Sequence, residues 1–500
     1  MKRSLNVLFL SPEVVPFAKS GGLADVAGAL PQALAERGCS VTVGMPFYGD
    51  LLKGKFETLP AGGPTVTVPV GTESYTLSIR ALEAPIGNVR HLFVQNAELY
   101  ARAGLYGDAK GDYPDNDARF ICFCRGILEW VKRTGWKPDI VHVNDWQSAT
   151  AAAFLATIFA DDPFFAETRS VLTIHNLAYQ GLFPAERFAN LGLDPGLFYP
   201  TSPFEFWGQV SFLKSGIAFA HKTNTVSPTY AREIQTAEMG AGLDGVLRDR
   251  AADLSGILNG MDGKDWSPTS DPLIAKTFTS GRIPSGKKAN KEALCERAGL
   301  PKKRWERPLI GMISRLAEQK GFDLIEEAAD ELYEMDFNLV LLGTGEKRFH
   351  DLFAKLGKEY PDRLKVFLTF DNALAHQIEA GSDFFLMPSR YEPCGLNQMY
   401  SLAYATIPIV RATGGLADTV IDADADPGRG NGFVFDNYTP AAMLDAVERA
   451  LAAYDQPKRL ASLRKRAMAA DFSWERSAQA YIDLYHAALS VDQRAFATHH

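Results

Sequence analysis

The stretch Phe17–Pro31, FAKSGGLADVAGALP, and the stretch Val410–Asp422, VRATGGLADTVID, carry the same pentapeptide, GGLAD, near the two ends of a 500-residue chain. In each copy a Gly-Gly pair, Gly21-Gly22 or Gly414-Gly415, precedes a segment of helical character. Such a pair lets the chain turn sharply from strand to helix and exposes backbone N–H groups where anions bind. The alternative is a tight turn without a ligand, in which the aspartate of the first helical turn faces the helix dipole.

Short apolar runs alternate with helical segments along the chain. The first series is NVLFLSP, SVTVGMP, DIVHVND, SVLTIHN and KTNTVSP, and a second series begins near residue 308 with PLIGMISR, NLVLLGTG, LKVFLTF, DFFLMPSR and TIPIVRATGG. Continuous apolar runs are typical of parallel strands that are covered on both faces. The alternation therefore predicts two doubly wound α/β domains in tandem.

The segment GILNGMDGKDWSPTSDP lies between the two series, and its Gly, Asp, Ser and Pro content is typical of a linker. We therefore predict one domain over residues 1–257 and a second over 258–470. A last helix is predicted within 471–490, followed by a loose tail over 491–500. Ligands of such sheets bind at the carboxyl ends of the strands, so two facing domains would each bring one GGLAD turn to a single cleft.

Composition narrows the class of protein. A net charge of −8 argues against a nucleic-acid-binding protein. The odd number of cysteines, five, fits no disulfide framework, and the C-x-C pair in FICFCRGILEW is expected to pack in the core rather than to bind metal. The N-terminal apolar run is too short for a signal peptide, and ATAAAFLATIFA is too short to cross a bilayer. These features favour a cytoplasmic protein without a membrane partner.

Two stretches of the second series carry candidate ligand-binding residues. In MISRLAEQKGFD, Arg315 and Lys320 could both reach a diphosphate, although two solvated surface charges are the alternative. In FLMPSRYEPCGLNQMYSLAYA, Glu392 and the backbone N–H groups of residues 394–396 could hold sugar hydroxyls. The alternative for that stretch is an ordinary helix N-terminus with a capping acid.

Polar residues also end two strands of the first series. Asp145 ends VHVND and His175 ends TIH, both on the predicted ligand side of the sheet. A lone histidine at a strand end can equally be structural. The lone GxG in LLGTGEKRF lacks a third glycine and is too weak to indicate a dinucleotide site.

Taken together, these motifs resemble those of the bacterial glycogen synthases and plant starch synthases, glycosyltransferase family 5. The resemblance runs from the N-terminus to about residue 489 and rests on KSGGLADV, YPDNDARF, HVNDWQ, TIHNLAYQG, VSPTYAREI, ILNGMD, SRLAEQKG, PSRYEPCGLNQ, TGGLADTV and DFSW. It implies a GT-B fold, in which two Rossmann-like domains face each other across a deep cleft and a C-terminal helix crosses back to the first domain. It also implies transfer of glucose, with retention, from ADP-glucose to the 4-OH of an α-1,4-glucan, without metal or organic cofactor.

The resemblance assigns roles residue by residue. Around the reacting atoms it implies His175, Glu392, Arg315, Lys320 and Asp145. For the ADP-glucose donor it implies Lys19, Gly21, Gly22, Asn259, Arg315, Lys320, Phe370, Cys394, Gly395, Leu396, Thr413, Gly414 and Gly415. On the acceptor side it implies Asp25, Tyr113 and Asn116.

Two positions depart from patterns seen in related enzymes. Tyr400 stands where many retaining transferases outside family 5 carry a second glutamate, which removes the paired-carboxylate mechanism as a simple option. Asn144 stands where many bacterial relatives have histidine. The sequence leaves open a different donor such as UDP-glucose, another acceptor such as glucose 1-phosphate, a phosphorylase with lysine-bound pyridoxal phosphate, a non-catalytic glucan-binding protein, and the oligomeric state.

Overall fold

The computed structural model describes residues 4–53 and 55–491, apart from the side chains of residues 50 and 51, so the predicted tail lies outside the described residues from 492 onward. Two compact units divide the chain. The first comprises residues up to Val226, Ala231–Gly260 and the segment from Trp474, and the second comprises Ser227–Tyr230 and Met261–Ser473.

The strands in chain order are β1 (Asn6–Leu10), β2 (Ser40–Pro46), β3 (Thr58–Pro60), β4 (Val66–Val70), β5 (Glu73–Leu82), β6 (Val89–Gln95), β7 (Gly107–Asp108), β8 (Gly111–Asp112), β9 (Ile140–Asn144), β10 (Arg169–Ile174), β11 (Leu182–Pro184), β12 (Glu205–Phe206), β13 (Gln209–Ser211), β14 (Lys222–Thr225), β15 (Leu254–Gly256), β16 (Leu309–Ile313), β17 (Asn338–Leu342), β18 (Leu364–Phe367), β19 (Phe384–Met387), β20 (Ile407–Arg411) and β21 (Phe433–Phe435).

The helices in chain order are α1 (Gly22–Glu36), α2 (Gly49–Leu52), α3 (Ala97–Tyr100), α4 (Asn116–Thr134), α5 (Asp145–Ala156), α6 (Phe212–Phe219), α7 (Pro228–Glu233), α8 (Asp244–Asp249), α9 (Ile283–Arg297), α10 (Phe322–Glu327), α11 (Ala329–Glu334), α12 (Lys347–Glu359), α13 (Asn372–Gly381), α14 (Asn397–Ala403), α15 (Gly414–Thr419), α16 (Pro440–Tyr454), α17 (Pro457–Met468) and α18 (Trp474–Leu489). Short 3₁₀ turns cover Ala185–Leu191, Pro195–Leu197, Ala251–Asp253, Lys302–Arg304 and Glu318–Lys320.

The first unit is built on a ten-stranded sheet in the order β15-β14-β10-β9-β1-β2-β6-β5-β3, with β4 paired to β5. The strands from β15 to β6 are parallel, and β5 joins β6 antiparallel. The five apolar runs predicted as strands are β1, β2, β9, β10 and β14, so this prediction is confirmed. The antiparallel edge β3–β5 and the small sheet β11-β13-β12 were not predicted, because β3, β11, β12 and β13 have only two or three residues and β4 and β5 alternate apolar with polar or exposed residues.

The second unit contains a parallel six-stranded sheet in the order β18-β17-β16-β19-β20-β21. All five runs predicted as strands are present, and their faces are covered by a core in which Phe322, Phe349, Phe353 and Phe384 are buried. Strand order reverses between β16 and β19, on either side of the sheet centre. In a doubly wound sheet this reversal marks the ligand side, at the carboxyl ends of the strands.

Helix α18 belongs to the first unit, where it packs against α1 and β10. The Tyr485 hydroxyl lies 2.8 Å from Nδ1 of His142, and Asn224 donates to the Tyr481 hydroxyl at 3.1 Å. Both tyrosines are fully buried. These hydrogen bonds satisfy polar groups in an apolar interior, where an unpaired group would be costly.

All five cysteines are reduced thiols, and Cys122 and Cys124 are fully buried in α4, which confirms that the C-x-C pair packs in the core. Burial raises the pKa of the Cys124 thiol to about 12. Across the described residues, no helix combines the length and the apolar character that spanning a membrane would require.

Candidate active site

The turn that carries Lys19 is held by a buried carboxylate. Glu13, three residues after β1, is 4% exposed, and its oxygens accept from the Ser20 hydroxyl at 2.6 Å and from the Tyr106 hydroxyl at 2.6 Å. The backbone N–H groups of Ser20 and Gly21 also donate to Glu13, the latter at 3.2 Å. The Gly21 N–H is therefore used inside the first unit. Sequence reasoning missed Glu13, although its place three residues after a buried strand was an available signal.

Lys19 points from this turn toward open space. Its Nζ lies 2.7 Å from Asp25 Oδ1, and the two side chains are 52% and 33% exposed. The turn borders an open depression of about 640 Å³ that Ser20 and Tyr106 also line. A Cβ added at Gly21 would meet nothing within 4 Å. The space beside the first Gly-Gly pair is therefore available to a ligand.

Asn144, Asp145 and His175 meet at the carboxyl ends of β9 and β10. His175 N–H donates to Asp145 Oδ1 at 2.6 Å, and His175 Nε2 lies 2.9 Å from Asn144 Oδ1. The Asn144 amide nitrogen donates to the Leu10 carbonyl at 3.0 Å, so its oxygen is the acceptor toward His175. The proton of the imidazole therefore lies on Nε2, and Asn144 determines the tautomer.

Burial sets the charges of this group. It lowers the pKa of His175 to about 3, so the imidazole is neutral at physiological pH. It raises the pKa of Asp145 to about 7, against the lowering effect of the N–H groups of His175 and Asn176. Asp145 also has φ 53°, a left-handed conformation that is costly for a non-glycine residue and is often retained at functional sites.

Three other predicted site residues lie in the first unit, including Asn259, which the predicted boundary had placed in the second domain. Asn259 is 6% exposed, and its Oδ1 has no hydrogen-bond partner among the described residues. Asn116 donates to the Tyr106 carbonyl at 2.8 Å and accepts from Arg119 at 2.7 Å, so its amide is engaged within the protein. The Tyr113 ring lies 5.1 Å from the Arg119 guanidinium carbon.

In the second unit, Lys320 and Glu392 form an ion pair. Lys320 Nζ lies 2.6 Å from Glu392 Oε2, and the Ser389 hydroxyl donates to the same oxygen at 3.1 Å. The Lys320 side chain is 21% exposed and that of Glu392 is 7% exposed. The sequence indicated both residues, but it did not indicate that they are paired or that Ser389 joins them.

The backbone brings the loops after β16 and β19 together. Gly321 has φ 73°, and a Cβ there would lie 1.9 Å from the Pro388 carbonyl oxygen, so only glycine fits. Arg390 N–H donates to the Gln319 carbonyl at 2.9 Å, and the Gln319 amide donates to the Tyr391 carbonyl at 3.2 Å. Strand order reverses between these two strands, so the pair lies where a doubly wound sheet binds ligands.

The second Gly-Gly pair packs against the backbone that carries Glu392. A Cβ at Gly414 would lie 1.9 Å from the Glu392 carbonyl oxygen, and one at Gly415 would lie 2.0 Å from that of Cys394. Gly414 has φ 44°, and Gly415 N–H donates to the Glu392 carbonyl at 3.1 Å. The glycines of the two GGLAD copies therefore have different surroundings. Those of the second copy allow the loop of Glu392 to pack closely, whereas Gly21 in the first copy borders open space.

The remaining predicted residues of the second unit lie at strand ends and helix starts. Arg315 follows β16 and is exposed, and Phe370 follows β18 with 84% of its surface exposed. Thr413 is the N-cap residue of α15, and Leu396 that of α14, just after Gly395 with φ 72°.

Tyr400 occupies a packing position in α14. Its ring stacks on Trp266 with a centroid distance of 4.0 Å and an interplanar angle of 5°. The other face of Trp266 stacks on His376 at 3.8 Å. The position at which some other retaining transferases carry a second carboxylate is therefore part of an aromatic stack here.

Both units carry charged or polar residues at the ends of parallel strands, and comparison with known proteins identifies the chain as a glycosyltransferase. The family described as starch synthase catalytic domain matches residues 6–249, and the family described as glycosyl transferases group 1 matches residues 300–467.

Full-length relatives specify the family. The chain is 47% identical to a glycogen synthase of Syntrophotalea carbinolica over 97% of this chain and 99% of that protein. It is 46% identical to a glycogen synthase of Geotalea daltonii over 98% and 100% of the two chains. The catalytic domain of starch synthase IV from Arabidopsis thaliana, bound to ADP and acarbose, is 34% identical with a TM-score of 0.88, covering 98% of this chain and 100% of that domain.

The chain therefore belongs to the glycogen synthase and starch synthase family, and its fold is the GT-B fold. It is a glucosyltransferase that elongates a glucan.

Proposed function

We propose that this enzyme transfers glucose from ADP-glucose to the non-reducing 4-OH of an α-1,4-glucan and retains the configuration at the anomeric carbon. The observation that carries the proposal is the Lys320–Glu392 pair at the strand reversal of the second sheet, in a chain that matches glycogen synthases over its full length. The Arabidopsis relative is bound to ADP, which is the group that ADP-glucose would leave behind.

The demanding part of this reaction is the departure of a diphosphate from the anomeric carbon. Negative charge grows on the phosphate oxygens while the sugar becomes oxocarbenium-like. Preorganised cations stabilise such charge well in a site that excludes water. In the proposal, Arg315 and Lys320 hold the diphosphate, and Lys19 provides a further positive charge. A diphosphate stabilised in this way needs neither a metal nor an organic cofactor to depart.

The N–H groups of the two glycine turns take a smaller part than the sequence suggested. Gly21 N–H donates to Glu13, and Gly415 N–H donates to the Glu392 carbonyl. Those groups are engaged inside their own units. We therefore assign the diphosphate mainly to side-chain cations, and to the turns at Gly22, Thr413 and Gly414 a supporting role.

The glucose would lie against Glu392 and the backbone of Cys394, Gly395 and Leu396. His175, Asp145 and Asn259 would surround it from the first unit. A neutral His175 suits a position beside the anomeric carbon, because a protonated imidazole would repel the positive charge that develops there. The exposed Phe370 ring would stack on the adenine.

On the acceptor side, Asp25 and Tyr113 would contact the glucan. Asn116 would act by holding the Tyr106 loop, because both ends of its amide are already hydrogen-bonded. The location that we infer is the cytoplasm, since five reduced thiols fit a reducing compartment.

The experiment compares ADP-glucose and UDP-glucose as donors in parallel, with glycogen present, and follows both nucleoside diphosphate release and glucan gain. Fast transfer from ADP-glucose alone supports the proposal. An aromatic ring stacks on either base, so Phe370 alone does not select the nucleotide. Equal transfer from UDP-glucose would therefore contradict the donor assignment. Transfer from neither donor would contradict the proposed reaction.

A further inference from the structure

The hairpin formed by β12 and β13 displays aromatic side chains to solvent in the first unit. Trp207, in the turn between the two strands, is 84% exposed, and Tyr199, in the preceding loop, is 53% exposed. We call these two side chains the Trp207 surface. Large aromatic residues usually bury most of their area, so this degree of exposure points to an interaction.

One carboxylate joins the two segments that carry these rings. Glu205 Oε2 accepts the Thr201 N–H at 2.8 Å, and Oε1 accepts the Gly208 N–H at 2.7 Å. Those two N–H groups lower the pKa of the Glu205 carboxyl, so it is ionised at neutral pH. The loop and the turn are thus fixed to a single side chain.

The backbone of both segments is strained. Thr201 has φ 70° and Trp207 has φ 50°, in the left-handed region that disfavours β-branched and bulky residues. The next residue in the turn is Gly208, which adopts a positive φ without a steric penalty. A strained backbone held by a dedicated carboxylate indicates that the direction of the displayed side chains matters.

The Trp207 surface lies next to the segment that follows His175. The Gln180 amide donates to the Ala241 carbonyl at 2.8 Å. A Cβ added at the neighbouring Gly242 would lie 2.9 Å from the Phe206 ring and 3.5 Å from Trp207 Nε1. The loop at residues 241–242 therefore connects the region of Gln180, five residues past His175, with the Trp207 hairpin.

We propose that the Trp207 surface is a binding site for an α-glucan chain, separate from the subsite of the reacting end. Glucose rings present apolar C–H faces that stack on flat aromatic rings, while their hydroxyl groups remain in water. The Glu205 carboxylate is ionised, but both of its oxygens accept backbone N–H groups, so the surface offered to an uncharged polymer is the two aromatic rings. This inference rests on the proposed function, in which a polymeric acceptor extends away from the site.

The test measures glycogen affinity without turnover, by affinity electrophoresis in glycogen-containing native gels, beside steady-state kinetics. W207A should weaken glycogen binding by about 2- to 10-fold, the range expected for one aromatic stack, and W207F should retain most of it. E205A keeps both rings but removes the carboxylate that holds their two segments together, so it should weaken glycogen binding to a similar extent as W207A. The kcat with maltotriose and the KM for ADP-glucose should stay unchanged in all three variants.

The matched control is L59A, which removes another exposed apolar side chain, 50% exposed, on β3 of the same unit. It should bind glycogen like the wild type, and thermal unfolding verifies that each variant is folded. Unchanged glycogen affinity in W207A overturns the proposal. Sedimentation identifies one alternative. If W207A converts a dimer into a monomer while its glycogen affinity stays the same, the surface binds a second copy of the chain and the proposal is overturned. If the wild type transfers no glucose but W207A still binds glycogen more weakly, the proposed function fails and this inference stands.

Discussion

Lys320 Nζ and Glu392 Oε2 lie 2.6 Å apart, so the cation proposed for the diphosphate and the acid proposed for the sugar form one largely buried pair. Removing one member of a buried pair leaves the other charge uncompensated. The two residues therefore act as a unit, and the double variant should lose less than the sum of the two single losses. A donor that binds here must share or replace the contact between them.

Lys320→Ala should slow transfer without unfolding the protein. Losing one preorganised donor to a developing negative charge costs about 2–4 kcal/mol of barrier, or on the order of 10²–10³ in kcat. The measurement is the initial rate of ADP release with saturating glycogen. Lys347→Ala is the matched control, because that lysine is 86% exposed in the same unit and pairs only across one helical turn with Asp351. Full activity in Lys320→Ala would remove this lysine from the leaving-group role.

Glu392→Ala and Glu392→Gln should reduce transfer while leaving ADP affinity intact or tighter. Removing the carboxylate frees the positive charge of Lys320 for the phosphates, so ADP gains attraction as the sugar loses a hydrogen-bond acceptor. Titration calorimetry with ADP separates the two effects, since ADP carries no glucose. A loss of ADP affinity in both variants would mean that Glu392 supports the nucleotide rather than the sugar.

Gly414→Ala and Gly21→Ala should behave differently although the residues occupy equivalent places in GGLAD. The added methyl at residue 414 would collide with the Glu392 carbonyl at φ 44°, and overpacking of this kind costs about 1–3 kcal/mol. At residue 21 the methyl enters open space at φ −151°, so the free energy of unfolding should change by less than about 1 kcal/mol. The activity of folded Gly21→Ala then reports how closely the donor approaches this turn. Equal destabilisation of Gly414→Ala and Gly21→Ala would refute the difference proposed between the two turns.

Asp145 should make the protein less stable as pH rises. Its pKa is about 7 in the folded state, above the value of about 3.9 expected in an unfolded chain. The folded state therefore binds more protons between pH 4 and pH 7, and the free energy of unfolding falls across that window. Asp145→Asn keeps the oxygen that accepts from His175 N–H but cannot ionise.

Because the Asn variant lacks this falling contribution, its stability relative to the wild type should increase as pH rises from 4 to 7, and its melting temperature should be higher than that of the wild type at pH 8. Melting temperatures at several pH values from 4 to 8 measure both quantities. His175→Asn provides the opposite comparison, because the pKa of His175 is about 3 in the folded state and about 6.5 in an unfolded chain, so its removal should make the free energy of unfolding fall more steeply between pH 4 and pH 7. An unchanged slope in Asp145→Asn would show that other groups cause the pH dependence.

Much of the fold could be predicted because the relevant signals are local. Ten apolar runs correspond to strands of the two parallel sheets, since a strand buried on both faces requires a continuous apolar sequence. The small sheet of β11, β12 and β13 was missed because strands of two or three residues carry no periodicity. Of the candidate site, Lys320, Glu392, Asp145 and His175 were indicated by their places at strand ends.

The contacts of those residues could not be predicted. Ser389 and Lys320 meet on Glu392 only after two loops pack, with Gly321 against the Pro388 carbonyl. The neutral state of His175 depends on its burial, and its tautomer depends on Asn144, which belongs to a different strand. The role of Glu13 follows from its hydrogen bonds with Ser20, Gly21 and Tyr106, which the sequence does not reveal.

The sequence by itself determined the alternation of strands and helices, the family, and the residue types at the strand ends. Only the tertiary structure decided what each residue does, as the two copies of GGLAD demonstrate. Their five residues are identical, so the pentapeptide itself cannot distinguish them. The first faces open space and the second faces the carbonyls of Glu392 and Cys394, because the environment of a Cβ is built by segments distant in the chain.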